Sequence, residues 1–240
     1  MEIFWETIAL YNYSTWVYQI ALIFIGLVLT VILIFKPREW VKLAMKIYLI
    51  VLCLWIAVVY YHIYCSERKF NNILTVFWTI MACVWIWDAI KGYTTFSRNY
   101  KHDYLAYLLL LMPFLYPLIS ILRGLTFPEI TTPIMPCSVA VFSIGILLLF
   151  SKKINMVIVL FLCHWSILAI SKTYFFNIPE DFLLASASVP ALYLFFKEYF
   201  ARDLHKETKP KAKYINFLLV FMSVIIGVLL TATFFVGLKY

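Results

Sequence analysis

Side chains able to bind or react are sparse in this 240-residue chain, which is 65% apolar and only 13% charged. They fall in short groups: Asn12, Trp16 and Gln19; Tyr61 and His62; Tyr116; Cys137; Glu180 and Asp181. Amides, phenols and an indole offer neutral hydrogen-bonding groups of the kind that hold a small polar solute. A carboxylate such as Asp181 adds a seat for a cation or a proton. His62, Cys137 and Asp181 compose a second chemistry, a thiol site or a site for a soft metal such as Cu(I). His164 followed by Trp165 is a separate pair, suited to a proton relay or to a neutral hydrogen bond between helices. No two of the four histidines stand at ligand spacing on one helix, so neither a metal centre nor a cofactor is expected.

The elements that must position these groups follow from hydropathy. The mean value is +0.92, and soluble domains are only about 45–50% apolar and about 25% charged. Disorder, collagen and a disulfide scaffold are excluded by 6 Gly, 9 Pro and 5 Cys in so apolar a chain. The fold class expected is an all-α integral membrane protein forming one domain, 1–240. Eight runs approach the roughly 20 apolar residues that cross a bilayer. They are Thr15–Phe35, Leu43–His62, Ile73–Ile90, Tyr104–Leu122, Ile134–Phe150, Ile154–Ile170, Phe182–Phe196 and Tyr214–Leu238. Continuous apolar runs lack the alternation of barrel strands. The expectation is a polytopic bundle: a seven-helix core over 8–196, a basic connector at 197–213 and an additional helix at 214–238.

Lys and Arg orient the bundle. Fifteen of the 20 lie after spans one, three, five and seven, with six of them between Lys197 and Lys213. The positive-inside rule puts those connections in the cytoplasm and both termini outside. Met1–Ser14 carries Glu2 and Glu6 but no positive residue, so it does not read as a signal peptide. The net charge of +8 is therefore a topology signal with anionic-lipid contact at 197–213, not a nucleic-acid footprint.

Mapped on this topology, the polar groups gather at the outer ends of spans one, two, four, five and seven. Gln19 stands a full turn inside, deeper than an interfacial belt explains. The inner half offers mainly Asp88, which is expected to reach Lys91 one turn on. Pro113, Pro117, Pro136 and Pro190 are expected helix breaks that free backbone carbonyls, as transporters use them. Cys65 and Cys137 both fall near the outer face, where an oxidising compartment would allow a disulfide. Ser223, Gly227 and Thr231 form a small-residue stripe open to packing within the monomer or to oligomer contacts.

The stretches YNYSTWVYQ (Tyr11–Gln19), YYH (Tyr60–His62), YP (Tyr116–Pro117), PIMPCSVAVFSIGILLL (Pro133–Leu149) and, after a Trp, PEDFLLASA (Pro179–Ala187) come in a recognisable order. Together they resemble domain-of-unknown-function family 6064, a family of bacterial multi-pass membrane proteins, over roughly residues 8–196. That pattern follows Pro-Cys with a further proline and hydroxyl residues. Here Ser138, Val139 and Ala140 stand instead, so no role resting on those hydroxyls carries over. The resemblance implies a bacterial inner-membrane protein and brings no established reaction. It sharpens attention on Asn12, Trp16, Gln19, His62, Pro136, Cys137 and Asp181.

Three functions stay open on these residues: a small transporter or solute-binding protein with an outer polar site, a non-catalytic partner or sensor, and an outer-leaflet thiol or redox enzyme. The topology makes its own prediction. A protease added outside should remove a tag from either terminus, and protection of one tag would mean a missed or surplus span.

Overall fold

The computed structural model describes residues 2–203 except 70, 99 and 177–179. The expected span 214–238, with Ser223, Gly227 and Thr231, and the connector beyond 203 lie outside the described residues. The chain forms two compact units, Met1–Ala191 and Leu192–Tyr240. Of the second, the described part is the end of one helix; all that follows concerns the first.

Helices dominate. In chain order they are α1 (Glu2–Phe35), α2 (Glu39–Leu54) continued by a π-helix (Trp55–Tyr64), α3 (Asn71–Lys91), α4 (Asp103–Leu122), α5 (Pro136–Phe150), α6 (Met156–Phe176) and α7 (Asp181–Asp203). Among the described residues, Ile3–Phe35, Glu39–Tyr64, Asn71–Lys91 and Asp103–Leu122 are long and apolar enough to cross a membrane. Pro136–Phe150 and Met156–Ala169 are shorter apolar helices. The chain is therefore helical with membrane-spanning segments, as its composition requires.

Local signals explain the ends. α1 stops at Phe35 because Pro37 has no N–H to continue the ladder and disfavours helical backbone at Lys36. α3 and α4 are followed by Gly92 and Gly124, at φ 67° and 86°. After α4 the amide of Gly124 donates to Ile121 O and that of Leu125 to Ser120 O, at 2.9 and 3.1 Å. This pair of bonds is the Schellman closure.

The prolines do not break helices. α4 runs through Pro113 and Pro117, and α7 through Pro190, without interruption. Pro136 is the first residue of α5, where its missing N–H would have had no helical partner anyway. The expectation of breaks at these four positions is corrected accordingly.

α5 is the centre of the unit. Every one of its residues except Phe142 is buried. Its 15 residues span about 22 Å, short of the ~30 Å hydrocarbon core, and an enclosed helix has no lipid contact to match. α4 lies close against it at Gly145, where a β-carbon would stand 3.1 Å from Leu110 Cγ. α1 and α2 meet similarly at Gly26, where a β-carbon would fall 2.8 Å from Tyr48 Cζ. A cavity of about 60 Å³ near this crossing is lined by Gly26, Thr30, Tyr48, Pro113, Pro133, Phe142 and further apolar residues. Its hydroxyls are spent on backbone, Thr30 on Gly26 O at 2.7 Å and Tyr48 on Leu22 O at 2.9 Å. It offers no chemistry.

At one end of the bundle, the short strands β1 (Thr95–Phe96) and β2 (Ser151–Lys153) pair antiparallel, an addition to the all-α expectation. They tie the chain after α3 to the chain after α5. Arg98 reinforces the tie with a two-pronged bond to Asp103, at 2.7 and 2.9 Å, and a third to Leu149 O at 3.1 Å. Asp88 anchors the same end. Its expected partner Lys91 is exposed at the helix terminus. Asp88 instead faces inward, fully buried, and meets Lys46 of α2 at 2.8 Å. Its second oxygen accepts from Thr94 N at 3.0 Å and Thr94 Oγ1 at 2.9 Å.

Breaking a buried pair by removing one partner costs about 3–5 kcal/mol, because the other charge is left uncompensated. Lys46→Met should therefore lower the thermal midpoint of the purified protein sharply. Adding Asp88→Asn, which keeps an acceptor for Thr94 and removes the orphaned charge, should restore much of it. Equal midpoints for the single and double variants would contradict this pairing.

Candidate functional site

At the opposite end, α1 turns a stripe of Tyr11, Asn12, Thr15 and Gln19 inward, all buried. Spacings of three and four residues place them on one helix face. They hold the α4–α5 loop, residues 124–135, like a strap. Asn12 Nδ2 donates to Pro128 O and Ile130 O, both at 2.7 Å. Gln19 Nε2 donates to Asn12 Oδ1 at 3.2 Å and Thr15 Oγ1 at 3.0 Å, while its Oε1 accepts from Thr132 Oγ1 at 2.7 Å. Tyr11 Oη donates to Ile134 O at 2.8 Å and accepts from Trp55 Nε1 at 2.9 Å. Asn12 and Gln19 thus spend their amides on protein.

Two arginines close this end. Arg68, in the turn before α3, donates to Thr7 Oγ1 at 2.7 Å and Phe4 O at 2.9 Å, with its guanidinium 4.3 Å from the Phe4 ring centre. Burial works against the Arg68 charge, but the surrounding Tyr60, Cys65 and Tyr61 outweigh it and raise its pKa. It is a permanent cation. Arg123, just after α4, grips both oxygens of Glu180 at 2.8 and 2.9 Å. Glu180 Oε1 also accepts from Ser120 Oγ at 2.8 Å, and that hydroxyl bonds Thr131 Oγ1 at 2.8 Å. Glu180 is therefore a structural anchor between α4, the strap and the start of α7.

Inside this closed end lies a different set. Tyr116 of α4 is buried, and its side chain stands within electrostatic reach of Cys137, Asp181 and Glu180. Its hydroxyl closes no hydrogen bond with another protein group among the described residues, although the Leu184 amide in the first turn of α7 approaches it. Cys137 comes within the same reach of Tyr60 and Tyr61. Asp181 is the first residue of α7, where unpaired helix amides favour a negative charge. The π-helix explains why neighbouring Tyr60 and Tyr61 are both buried: its wider turn, closed by Cys65 N donating five residues back to Tyr60 O at 3.0 Å, lets both face inward.

Further unpaired groups run on from there. Asn71 Oδ1, Trp78 Nε1 and Trp85 Nε1 of α3, and His164 Nδ1 of α6, are buried and close no hydrogen bond among the described residues. Leaving one amide or hydroxyl so placed costs about 2–7 kcal/mol, against a net stability of about 5–15 kcal/mol for a whole domain. Each such group favours a small polar partner.

The expected site residues therefore divide. Tyr61, Tyr116, Cys137 and Asp181 lie together in the interior. Asn12, Gln19 and Glu180 surround them as bonded framework. Trp16 is 51% exposed and His62 is exposed, so neither lines the interior group, and the His62–Cys137–Asp181 set does not assemble. His164 stacks on Phe77 at 5.4 Å, and Trp165 packs on Trp78 at 5.1 Å and Tyr61 at 6.3 Å. No disulfide joins Cys65 and Cys137. Among the described residues no group of three or more His, Cys, Asp and Glu is placed to hold a metal. Sequence reasoning passed over Arg68, Asn71, Trp78, Trp85, Ser120 and Thr131. The seven-residue spacing of Asn71, Trp78 and Trp85, ending at Asp88, was the signal available.

Asn12→Ala strands two carbonyls of the strap, at about 1–3 kcal/mol for each unsatisfied group. Thermal unfolding should shift down, and limited proteolysis should speed up within 124–135. Unchanged cleavage there would contradict the clamp.

A family model described as "Family of unknown function (DUF6064)" matches residues 1–206. No curated protein and no solved structure matches the chain.

Proposed function

The chain belongs to the DUF6064 family, whose function is unknown, and from its site we propose a small-solute transporter or solute-binding protein of the bacterial inner membrane. The solute sits under the strap, among Tyr61, Tyr116, Cys137 and Asp181. The observation that carries this reading is the Tyr116 hydroxyl, buried within electrostatic reach of a carboxylate and a thiol and approached among the described residues only by the Leu184 amide. A phenol both donates and accepts, and Asp181 adds a negative charge. The pairing favours a small cationic or hydroxyl-bearing solute, such as an alkylamine or a polyol. Asn12, Gln19 and the Arg123–Glu180 pair hold the strap as the cover, and release of the strap would open the site outward in the orientation that Lys and Arg assign. The span count of eight and both termini outside are part of this proposal.

Purified protein screened by thermal shift against amines, amino acids and polyols should be stabilised by at least one of them. Tyr116→Phe, which deletes only the hydroxyl, should weaken that response about tenfold, the equivalent of about 1.4 kcal/mol. Asp181→Asn should weaken amines more than polyols. A response unchanged in both variants would remove the site assignment.

A further inference from the structure

We infer that this protein conducts protons across the membrane, along a file of bound water beside the inward face of α3. The inference shares the Tyr116–Asp181 site with the proposed function as its outer mouth, and otherwise rests on different residues.

Asn71, Trp78 and Trp85 recur every seventh residue on the buried stripe of α3, and Asp88 completes it one turn later. A helix rises 1.5 Å per residue, so the stripe extends about 25 Å, most of a hydrocarbon core of about 30 Å. Each of the first three presents a buried polar atom that bonds no protein group among the described residues. His164 joins them at the middle: it stacks on Phe77, adjacent to Trp78, with its Nδ1 likewise unpaired. The stripe ends near further polar groups. Asn71 donates to the backbone carbonyl of Tyr61 at 2.6 Å. Cys137 lies within electrostatic reach of both Tyr61 and Tyr116, and Asp181 within that of Tyr116. At the other end Asp88 meets Lys46 and Thr94. Thr94 Oγ1 accepts from Asn155 N at 3.1 Å, and Asn155 Nδ2 is again buried and unpaired.

The chemistry of this column fits water better than a larger ligand. Its polar atoms are mostly single donors or acceptors, set about 10 Å apart along α3 by the seven-residue spacing. A gap of that length takes about three water molecules at normal hydrogen-bond separations. Indole N–H groups donate to water oxygens without titrating, so they hold and orient a file while the waters pass protons. Tyr116 and His164 can both give and accept a proton. A proton enters at Asp181, moves by successive transfers between neighbours, and leaves at Asp88, with no other bond made or broken. The charged groups near the path include Asp181 and Glu180 with Arg123 and Arg68 at the first end, and Asp88 with Lys46 at the second.

The test uses full-length protein reconstituted in phosphatidylcholine vesicles containing a pH-sensitive dye, with a potassium diffusion potential set by valinomycin. Wild-type vesicles should change internal pH at least about tenfold faster than protein-free ones. Trp78→Phe and His164→Phe keep an aromatic ring and remove the polar atom, and each should slow the flux about tenfold. Their elution as intact protein and their retained solute response at Tyr116 separate lost conduction from lost fold. A wild-type rate equal to that of empty vesicles, or a flux unaffected by both variants, would overturn the inference. Solute binding without flux leaves the proposed function standing and removes the path; flux without solute binding does the reverse.

Discussion

A polar group bounded by hydrocarbon has no bulk water to fall back on, and each one must be paired inside the protein or supplied with something small. This structure is organised by that demand. At both ends of the bundle much of it is met by side chains reaching carbonyls, hydroxyls and counter-charges. Asn12 serves two strap carbonyls, Glu180 takes Arg123 and Ser120, and Asp88 takes Lys46 and Thr94. Between the ends Trp78, Trp85 and His164 each keep a buried polar atom that closes no hydrogen bond among the described residues. α5, enclosed on nearly every side, fixes the frame in which both conditions hold together.

The sequence showed the coarse arrangement well. The first four apolar runs correspond to helices long and apolar enough to cross a membrane. Tyr61, Tyr116, Cys137 and Asp181 sit at corresponding ends of antiparallel helices, so span direction alone brought them near one another. Depth was also informative: Gln19, one turn too deep for a belt, proves to be bonded to Asn12 and Thr132. What the sequence hid is pairing across helices. Asp88 and Lys91 look like partners at three-residue spacing, but three residues past an inward-facing Asp88 the chain has reached the exposed helix terminus. Lys46 comes from another helix, and nothing local marks it.

Other features were hidden for related reasons. A π-helix differs from an α-helix only in which carbonyl each amide chooses, so Trp55–Tyr64 carries no compositional mark. The β1–β2 pair joins segments more than fifty residues apart. Proline misled in the opposite direction, since its chemistry was read as a break where α4 and α7 absorb it. His62 and Trp16 lie on helices that also carry site residues, but on faces turned outward; helical phase decides this, and continuous apolar sequence gives phase little contrast. One set of polar residues holds the cover, and Tyr61, Tyr116, Cys137 and Asp181 lie beneath it.

The central claim is that the buried unpaired groups are in contact with water or a polar solute. Hydroxyl-radical footprinting by brief X-ray exposure, read by mass spectrometry, tests it directly, because radicals form only where water is. The account predicts rapid oxidation of Trp78, Trp85 and Tyr116, with equally buried Phe96 and Phe150 left unmodified. Protection of all five would mean a dry interior and would contradict it.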